Sequence, residues 1–273
     1  MRLNWLVTVL VALCGMAQAA LVTIGNAGNA ADTTGYGDVS YTYRISATEV
    51  TIAEFTASGA GNGNENYWND GTRTVGANAP ASYVSLYEAM QYCNWMTSGN
   101  TNNGAYQFIG GTFRSADRAS AVTTYGTVYA LPTENEWYKA AYFKPDASGY
   151  SLYANGTGTA PSGTEANYDA NGNHTAWTVG SGLQEQNGTY DMMGNVWEWM
   201  EALPSCLRGG SFSDVEYYLR PSYRGYGGNS AYEGWSVGFR VVAIPEPATA
   251  LSLVLGGLIV TGYRRLRKSY GHF

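Results

Sequence analysis

Thirty-five glycines spread through 273 residues most limit the ways this chain can fold. Glycine weakens helix and strand interiors, and it is the default residue wherever the backbone must turn left-handed. Between the glycine-rich stretches lie short apolar runs bounded by Asn and Thr. That pattern predicts many short elements joined by long stretches of loop. The chain carries no heptads and no repeat of fixed period.

The two ends stand apart from this pattern. Residues 1–20 begin with Arg2, continue in an almost unbroken apolar run over 5–14, and reach Ala17-Gln18-Ala19, a small-x-small cleavage site. The run is too short to span a bilayer. It predicts a signal peptide over 1–19, export by the Sec machinery and removal by signal peptidase. At the other end Pro245, Glu246 and Pro247 precede an apolar segment over 248–263, followed by Arg264, Arg265, Arg267 and Lys268. At ~1.5 Å per residue that segment covers most of a ~30 Å hydrocarbon core, with the cationic cluster on the cytoplasmic side. Proline motif, short apolar helix and basic tail together resemble the PEP-CTERM sorting signal of Gram-negative bacteria. The resemblance implies a transient anchor in the inner membrane and cleavage near Pro245–Pro247 by an exosortase-type enzyme. The domain would then reach the outer surface or the extracellular matrix. An ordinary single-span anchor is the alternative. The division is therefore 1–19 signal peptide, 20–243 globular domain and 244–273 sorting or anchor segment.

Setting aside Arg2, the four basic residues of the tail and Glu246, the middle of the chain holds twenty acidic and ten basic residues. A nucleic-acid partner would call for the opposite balance, so none is expected. Acidic groups and many Asn side chains suit hard cations instead. Cys93 and Cys206 are the two thiols outside the leader, so at most one disulfide is available. His174 is the single histidine before the tail, which excludes a three-histidine iron site and a Cys2His2 zinc site by count.

Along the domain, residues 39–55 read as paired strands, since Tyr41, Tyr43 and Ile45 alternate with polar neighbours. Residues 57–79, 100–126 and 145–186 read as loop. A helix over 85–96 starts from Ser85 as N-cap, with Glu88 completing a capping box. It places Leu86, Ala89, Met90, Cys93 and Trp95 on one stripe, where Cys93 serves as a small core residue. A second helix over 134–143 starts from Thr133 and Glu136 and buries Trp137, Ala140 and Ala141. Segments 190–199, 208–212 and 237–242 complete the strand-rich remainder.

Six motifs then occur in order: Glu49-Val50-Thr51, Tyr92-Cys93-Asn94-Trp95, a Leu131–Trp137 helix start, an Asn187–Trp199 block ending Gly194-Asn195-Val196-Trp197-Glu198-Trp199, Arg208-Gly209-Gly210-Ser211-Phe212, and Gly238-Phe239-Arg240-Val241. Together they resemble the formylglycine-generating enzymes, the sulfatase-modifying-factor family. The resemblance implies an α+β, single-domain, loop-rich variant of the C-type-lectin-like fold, with short twisted sheets and two main helices.

The family's enzymes oxidise a protein cysteine with copper(I) held by two thiolates five residues apart, shortly after the RGGS motif. At the matching places this chain has Asp214 and Leu219, while Trp197 and Ser211 match residues lining the family's oxygen site. Neither copper nor iron is therefore expected. Paired carboxylates (Glu134 with Glu136, Glu198 with Glu201) do not carry glycosidase chemistry, and His174 reads as an exposed loop residue. The resemblance implies structural Ca²⁺ at Asp191 and Glu198 with the carbonyls of Gly194 and Val196, and a second cation site that starts at Asn167 and the Tyr168 carbonyl and continues toward Asn171 and Asn173. Finally, Tyr217, Tyr218, Tyr223, Tyr226, Tyr232 and Trp235 are interleaved with Ser, Asn and Gly. Such a composition serves recognition, and the segment resembles the ligand-contacting region of retroelement-diversified variable proteins. The expectation is an exported, non-catalytic, calcium-stabilised module that binds a surface protein or an extracellular polysaccharide. The alternatives are a formylglycine-type oxidoreductase with a non-standard metal site, and a purely structural matrix component.

Overall fold

Three helices of this protein start from one local device. The computed structural model describes residues 20–61, 72–172 and 174–244. The expected leader, the Pro245–Pro247 motif and the tail lie outside the described residues, as does Asn173. In chain order the elements are β1 (Leu21–Ile24), β2 (Tyr43–Ser46), α1 (Ile52–Ser58), α2 (Leu86–Ser98), β3 (Tyr106–Ile109), β4 (Thr112–Ala116), α3 (Arg118–Tyr125), β5 (Val128–Ala130), α4 (Glu134–Tyr142), β6 (Trp197–Trp199), β7 (Cys206–Arg208), β8 (Gly225–Tyr226), β9 (Val237–Gly238) and β10 (Val242–Ile244). Thr51 with Glu54, Ser85 with Glu88 and Thr133 with Glu136 each form a reciprocal capping box at the start of α1, α2 and α4. Each box satisfies two backbone N–H groups that the helix itself leaves unpaired.

The two helices expected from sequence are present, α2 two residues longer and α4 one shorter at the C-terminal end. Leu86, Ala89, Met90 and Cys93 are buried along α2, as are Trp137, Ala140 and Ala141 along α4. Other expectations change. Residues 39–55 are not a strand pair: β2 holds four of them, and Thr51 turns the chain into α1. Residues 100–126 are not loop but the β3–β4 hairpin followed by α3, which Asp117 caps. Almost all of β4 is exposed, so no apolar alternation marks it. The strand expected over 208–212 ends at Arg208, because Gly209 and Gly210 adopt φ of +99° and +77° and lead Ser211 out of the sheet.

Two four-stranded sheets and the β3–β4 hairpin share the elements. The first sheet has the order β1-β2-β10-β5 and is antiparallel throughout. The second has the order β8-β7-β6-β9, with β6 and β9 parallel. Residues 237–242, expected as one closing strand, instead pass from the second sheet at Gly238 into the first at Val242. The crossing residues are buried, and Phe239 packs against Phe55 and Tyr92 at ring distances of 6.0 and 5.3 Å. One apolar core spans both sheets. Much of it is aromatic, and the buried hydroxyls find partners: Tyr142 donates to the Leu219 carbonyl at 2.9 Å, Tyr43 to that of Glu136.

Losing a Ser or Thr N-cap typically costs about 1 kcal/mol. Ser85→Ala and Thr133→Ala are each expected to lower stability by about that amount in urea unfolding. An unchanged midpoint in both would show that tertiary packing alone sets these helix starts.

Candidate functional site

Arg240 lies buried where three of the sequence motifs meet. Its Nε and Nη2 donate to Glu198 Oε2 and Oε1, both at 2.7 Å, and both side chains are fully buried. Trp137 Nε1 donates to the same Glu198 Oε2 at 2.7 Å. The other guanidinium hydrogens go to the carbonyls of Ser46, Ala47 and Tyr190 at 3.1, 3.2 and 2.9 Å. A planar fork of donors is matched here by a carboxylate and three carbonyls.

Every carboxylate of the two pairs read from sequence has an arginine partner. Glu134 accepts from Arg208 at 2.6 Å and Arg224 at 3.0 Å; Arg118 bridges Glu136 at 3.0 Å and Glu201 at 2.9 Å. These groups are structural ion pairs. His174 is exposed, 3.7 Å from Asp169 Oδ1.

The turn before β6 holds the candidate cation site. Asp191 and Asn195 take φ of +59° and +57°, and Gly194 +87°. A Cβ on Gly194 would lie 2.1 Å from the Asn167 carbonyl oxygen, so only glycine fits that approach. Asn195 organises the turn. Its N–H donates to the Asn167 carbonyl at 2.7 Å, its Oδ1 accepts from Trp177 N at 2.8 Å and Asn167 Nδ2 at 3.1 Å, and its Nδ2 donates to Glu49 Oε1 at 2.9 Å. The sequence signal for this role is the Gly194-Asn195 pair inside the fourth motif.

Of the expected cation ligands, Glu198 is the most heavily engaged: Oε1 accepts from Arg240 and Oε2 from both Arg240 and Trp137, which leaves Asp191 and the two carbonyls as the less committed oxygens. Asp191 accepts from the Gly180 N–H at 2.6 Å. No hydrogen bond among the described residues uses the carbonyl oxygens of Gly194 or Val196, although both residues are buried. Those two carbonyls and Asp191 are oxygen donors that fit a hard cation. No group of three or more His, Cys, Asp or Glu among the described residues is gathered for a metal ion, so carbonyls would have to complete any such site. Asn167 and Tyr168 adjoin it through the Asn167–Gly194 bridge. Nearby Glu49 is fully buried, and among the described residues its Oε2 has no hydrogen-bond partner. Burial pushes the Glu49 carboxyl well above the usual range and also raises Asp191. Burial likewise takes Glu185 up to about 8, against the opposing influence of Arg240.

The residues at the family's copper position do not fit copper. Leu219 is fully buried and packs on Gly210. Asp214 accepts from the Ser211 hydroxyl; burial raises its carboxyl, while hydrogen bonds from Ser211 and Trp197 oppose the rise. A side chain without lone pairs and a single carboxylate give no soft two-coordinate site. The two thiols, Cys93 and Cys206, are free and buried elsewhere, and burial pushes Cys206 up to about 12, so its thiolate does not form at neutral pH.

Above this position opens a cleft of about 510 Å³. Trp197, Tyr218, Tyr223, Tyr226, Tyr232 and Trp235 line it, together with Asp214 and glycines of the β8 turn. Five of the six aromatics expected from sequence therefore share one cavity. The sixth, Tyr217, lies outside it, edge-on to Tyr218 and Tyr223 at 5.9 and 5.6 Å. Trp197, at 6.0 Å from Tyr218 and 5.7 Å from Tyr223, forms the inner wall.

The motif chemistry just described matches a known domain, the sulfatase-modifying factor enzyme 1-like domain, over residues 22–244. The chain belongs to the sulfatase-modifying-factor family. No curated protein sequence matches it. Solved structures similar to this family member include Treponema denticola variable protein 1, at 19% identity and TM-score 0.59, covering 82% of this chain and 95% of its own. CarF aligns at 22% identity and TM-score 0.64, over 85% of this chain and all of its own, and PvdO from Pseudomonas aeruginosa at 17% and 0.50, over 82% and 91%. At these identities the likeness concerns the fold, which is the α+β, C-type-lectin-like architecture expected from sequence.

Breaking a buried ion pair by removing one partner typically costs 3–5 kcal/mol. Arg240→Met is expected to cost roughly that much in this family member, read by chemical unfolding, and Lys at the same place to restore only part because it lacks the fork. A loss below about 1 kcal/mol would show the pair to be dispensable. Glu185 supplies a pH test. A carboxyl whose folded pKa is raised destabilises the fold as pH climbs from its unfolded value, near 4.5, through about 8. With divalent cations removed, stability is expected to fall between pH 5 and 8, and Glu185→Gln to flatten that fall.

Proposed function

We propose that this sulfatase-modifying-factor domain is a non-catalytic, calcium-stabilised binding module of the cell surface or extracellular matrix. One observation carries the reading: at the family's metal position stand Leu219, packed into the core, and Asp214, hydrogen-bonded to Ser211, beneath an aromatic cleft of about 510 Å³. That volume lies in the ordinary range for small-ligand sites, and its lining combines apolar rings with a few polar groups. Export by the Sec route, release by signal peptidase and sorting by an exosortase-type enzyme belong to the same proposal, on the strength of the two terminal segments. Asp191 with the carbonyls of Gly194 and Val196 would hold the calcium, beside Asn167 and Tyr168. When bound, calcium supplies positive charge beside the buried carboxylates of Glu49 and Asp191.

The test is metal analysis of the purified protein, with thermal melts in calcium and in chelator. Calcium is expected without copper or iron, and chelator is expected to lower the melting temperature, because a ligand that binds only the folded state stabilises it. Stoichiometric copper or iron, or oxygen consumption with a cysteine-containing peptide, would overturn the non-catalytic reading. Melts indifferent to chelator would remove calcium from it.

A further inference from the structure

We propose that the aromatic cleft binds a saccharide chain, seating a sugar ring between its tyrosine and tryptophan faces with Asp214 as acceptor for the ring hydroxyls. The assignment rests on the reading of this cleft as a binding site. A sugar ring presents two chemistries at once, a face of C–H groups and a rim of hydroxyls. The cleft offers both counterparts. Tyr226 stands 81% exposed and Tyr232 49%, so ring faces are open to solvent at its mouth. Ser213, Asp214, Asn229 and Ser236 supply donors and acceptors around them. A carboxylate accepts from two neighbouring hydroxyls at once, and rigid rings make contact without losing much side-chain freedom.

Other ligand classes fit less well. Arg73 lies over Trp235 at 4.8 Å and Arg224 over Tyr226 at 5.5 Å. Two lining rings thus already carry a guanidinium on one face, which works against a cationic ligand. Among the described residues no Lys or Arg lines the cleft itself; Arg73 and Arg224 lie on Trp235 and Tyr226, and a phosphate in the cleft would face the carboxylate of Asp214. An extended peptide adds most readily to an exposed strand edge, yet β8, which lines the cleft, is two residues long and offers little backbone to pair with. Gly225 within β8 and Gly227 and Gly228 just after it also line the cleft. A Cβ on Gly227 would lie 2.2 Å from the Trp199 ring and one on Gly225 3.1 Å from Leu207 Cβ, so side chains there would displace the turn that shapes the cleft.

The experiment titrates the full chain with cellohexaose, laminarihexaose, chitohexaose and alginate oligosaccharides, by calorimetry and by tryptophan fluorescence, since Trp197 and Trp235 line the cleft. In parallel, a phage-displayed random dodecapeptide library is selected against the same protein. At least one saccharide is expected to bind saturably. Tyr226→Ala and Tyr232→Ala should each weaken it about tenfold, the scale of one aromatic anchor. Asp214→Asn should also weaken it, while Tyr125→Ala, an exposed tyrosine outside the cleft, should leave it unchanged. Melting curves confirm that each variant is folded. Peptide ligands sensitive to Tyr226→Ala, with no saccharide binding, would overturn the saccharide assignment and keep the cleft as a binding site. Saturable binding of neither class, or saccharide binding indifferent to Tyr226, Tyr232 and Asp214, would overturn the saccharide assignment, and the former result would overturn the binding-site reading as well.

Discussion

Arg240 enters the interior between the two sheets, and the family architecture closes around it. Its partner Glu198 lies on β6, Trp137 reaches the same carboxylate from α4, and the carbonyls it meets belong to the end of β2 and to the turn at Tyr190. A charge taken out of water is tolerated only when its hydrogen-bonding capacity is used. Here the guanidinium holds five such contacts, so four separate stretches of chain must arrive together. Sheets of two- to four-residue strands gain little from their own ladders, and this shared polar centre supplies some of the specificity that longer strands would provide.

The same logic explains why certain parts of the fold were legible in the sequence. Ser85, Glu88, Thr133 and Glu136 act within one turn of chain, and their geometry follows from local spacing. Thr51 and Glu54 carry an identical signal, but the alternating tyrosines just before them favoured a strand reading. The β3–β4 hairpin left little trace, because its outer strand faces water and has no apolar face to alternate. The split of residues 237–242 between two sheets is likewise a tertiary decision: a run that is buried on both sides looks the same whether it serves one sheet or two.

Around the candidate sites, residue types were readable and pairings were not. The aromatic segment declared itself by composition, and five of its six members share one cleft. Glu198 was expected as a cation ligand; its pairing with Arg240 was not legible, because the arginine lies 42 residues further along and reaches it only in the folded chain. In sequence, the Asn195 amide beside a glycine reads as ordinary turn chemistry. Its role as a junction between Asn167, Trp177 and Glu49 depends on three distant segments folding onto it.

The position of β10 has a mechanical consequence. This last strand of the domain lies inside its sheet, bonded to β2 on one side and β5 on the other. Any chain that continues past Ile244 therefore leaves from an interior strand rather than from a loose edge. Tension applied there is directed along β10, so the ladder bonds on both flanks share the load in shear instead of opening one at a time. A domain held by that end would resist being pulled from its tether far better than one hung from β1, which among the described residues has a neighbour on one side alone.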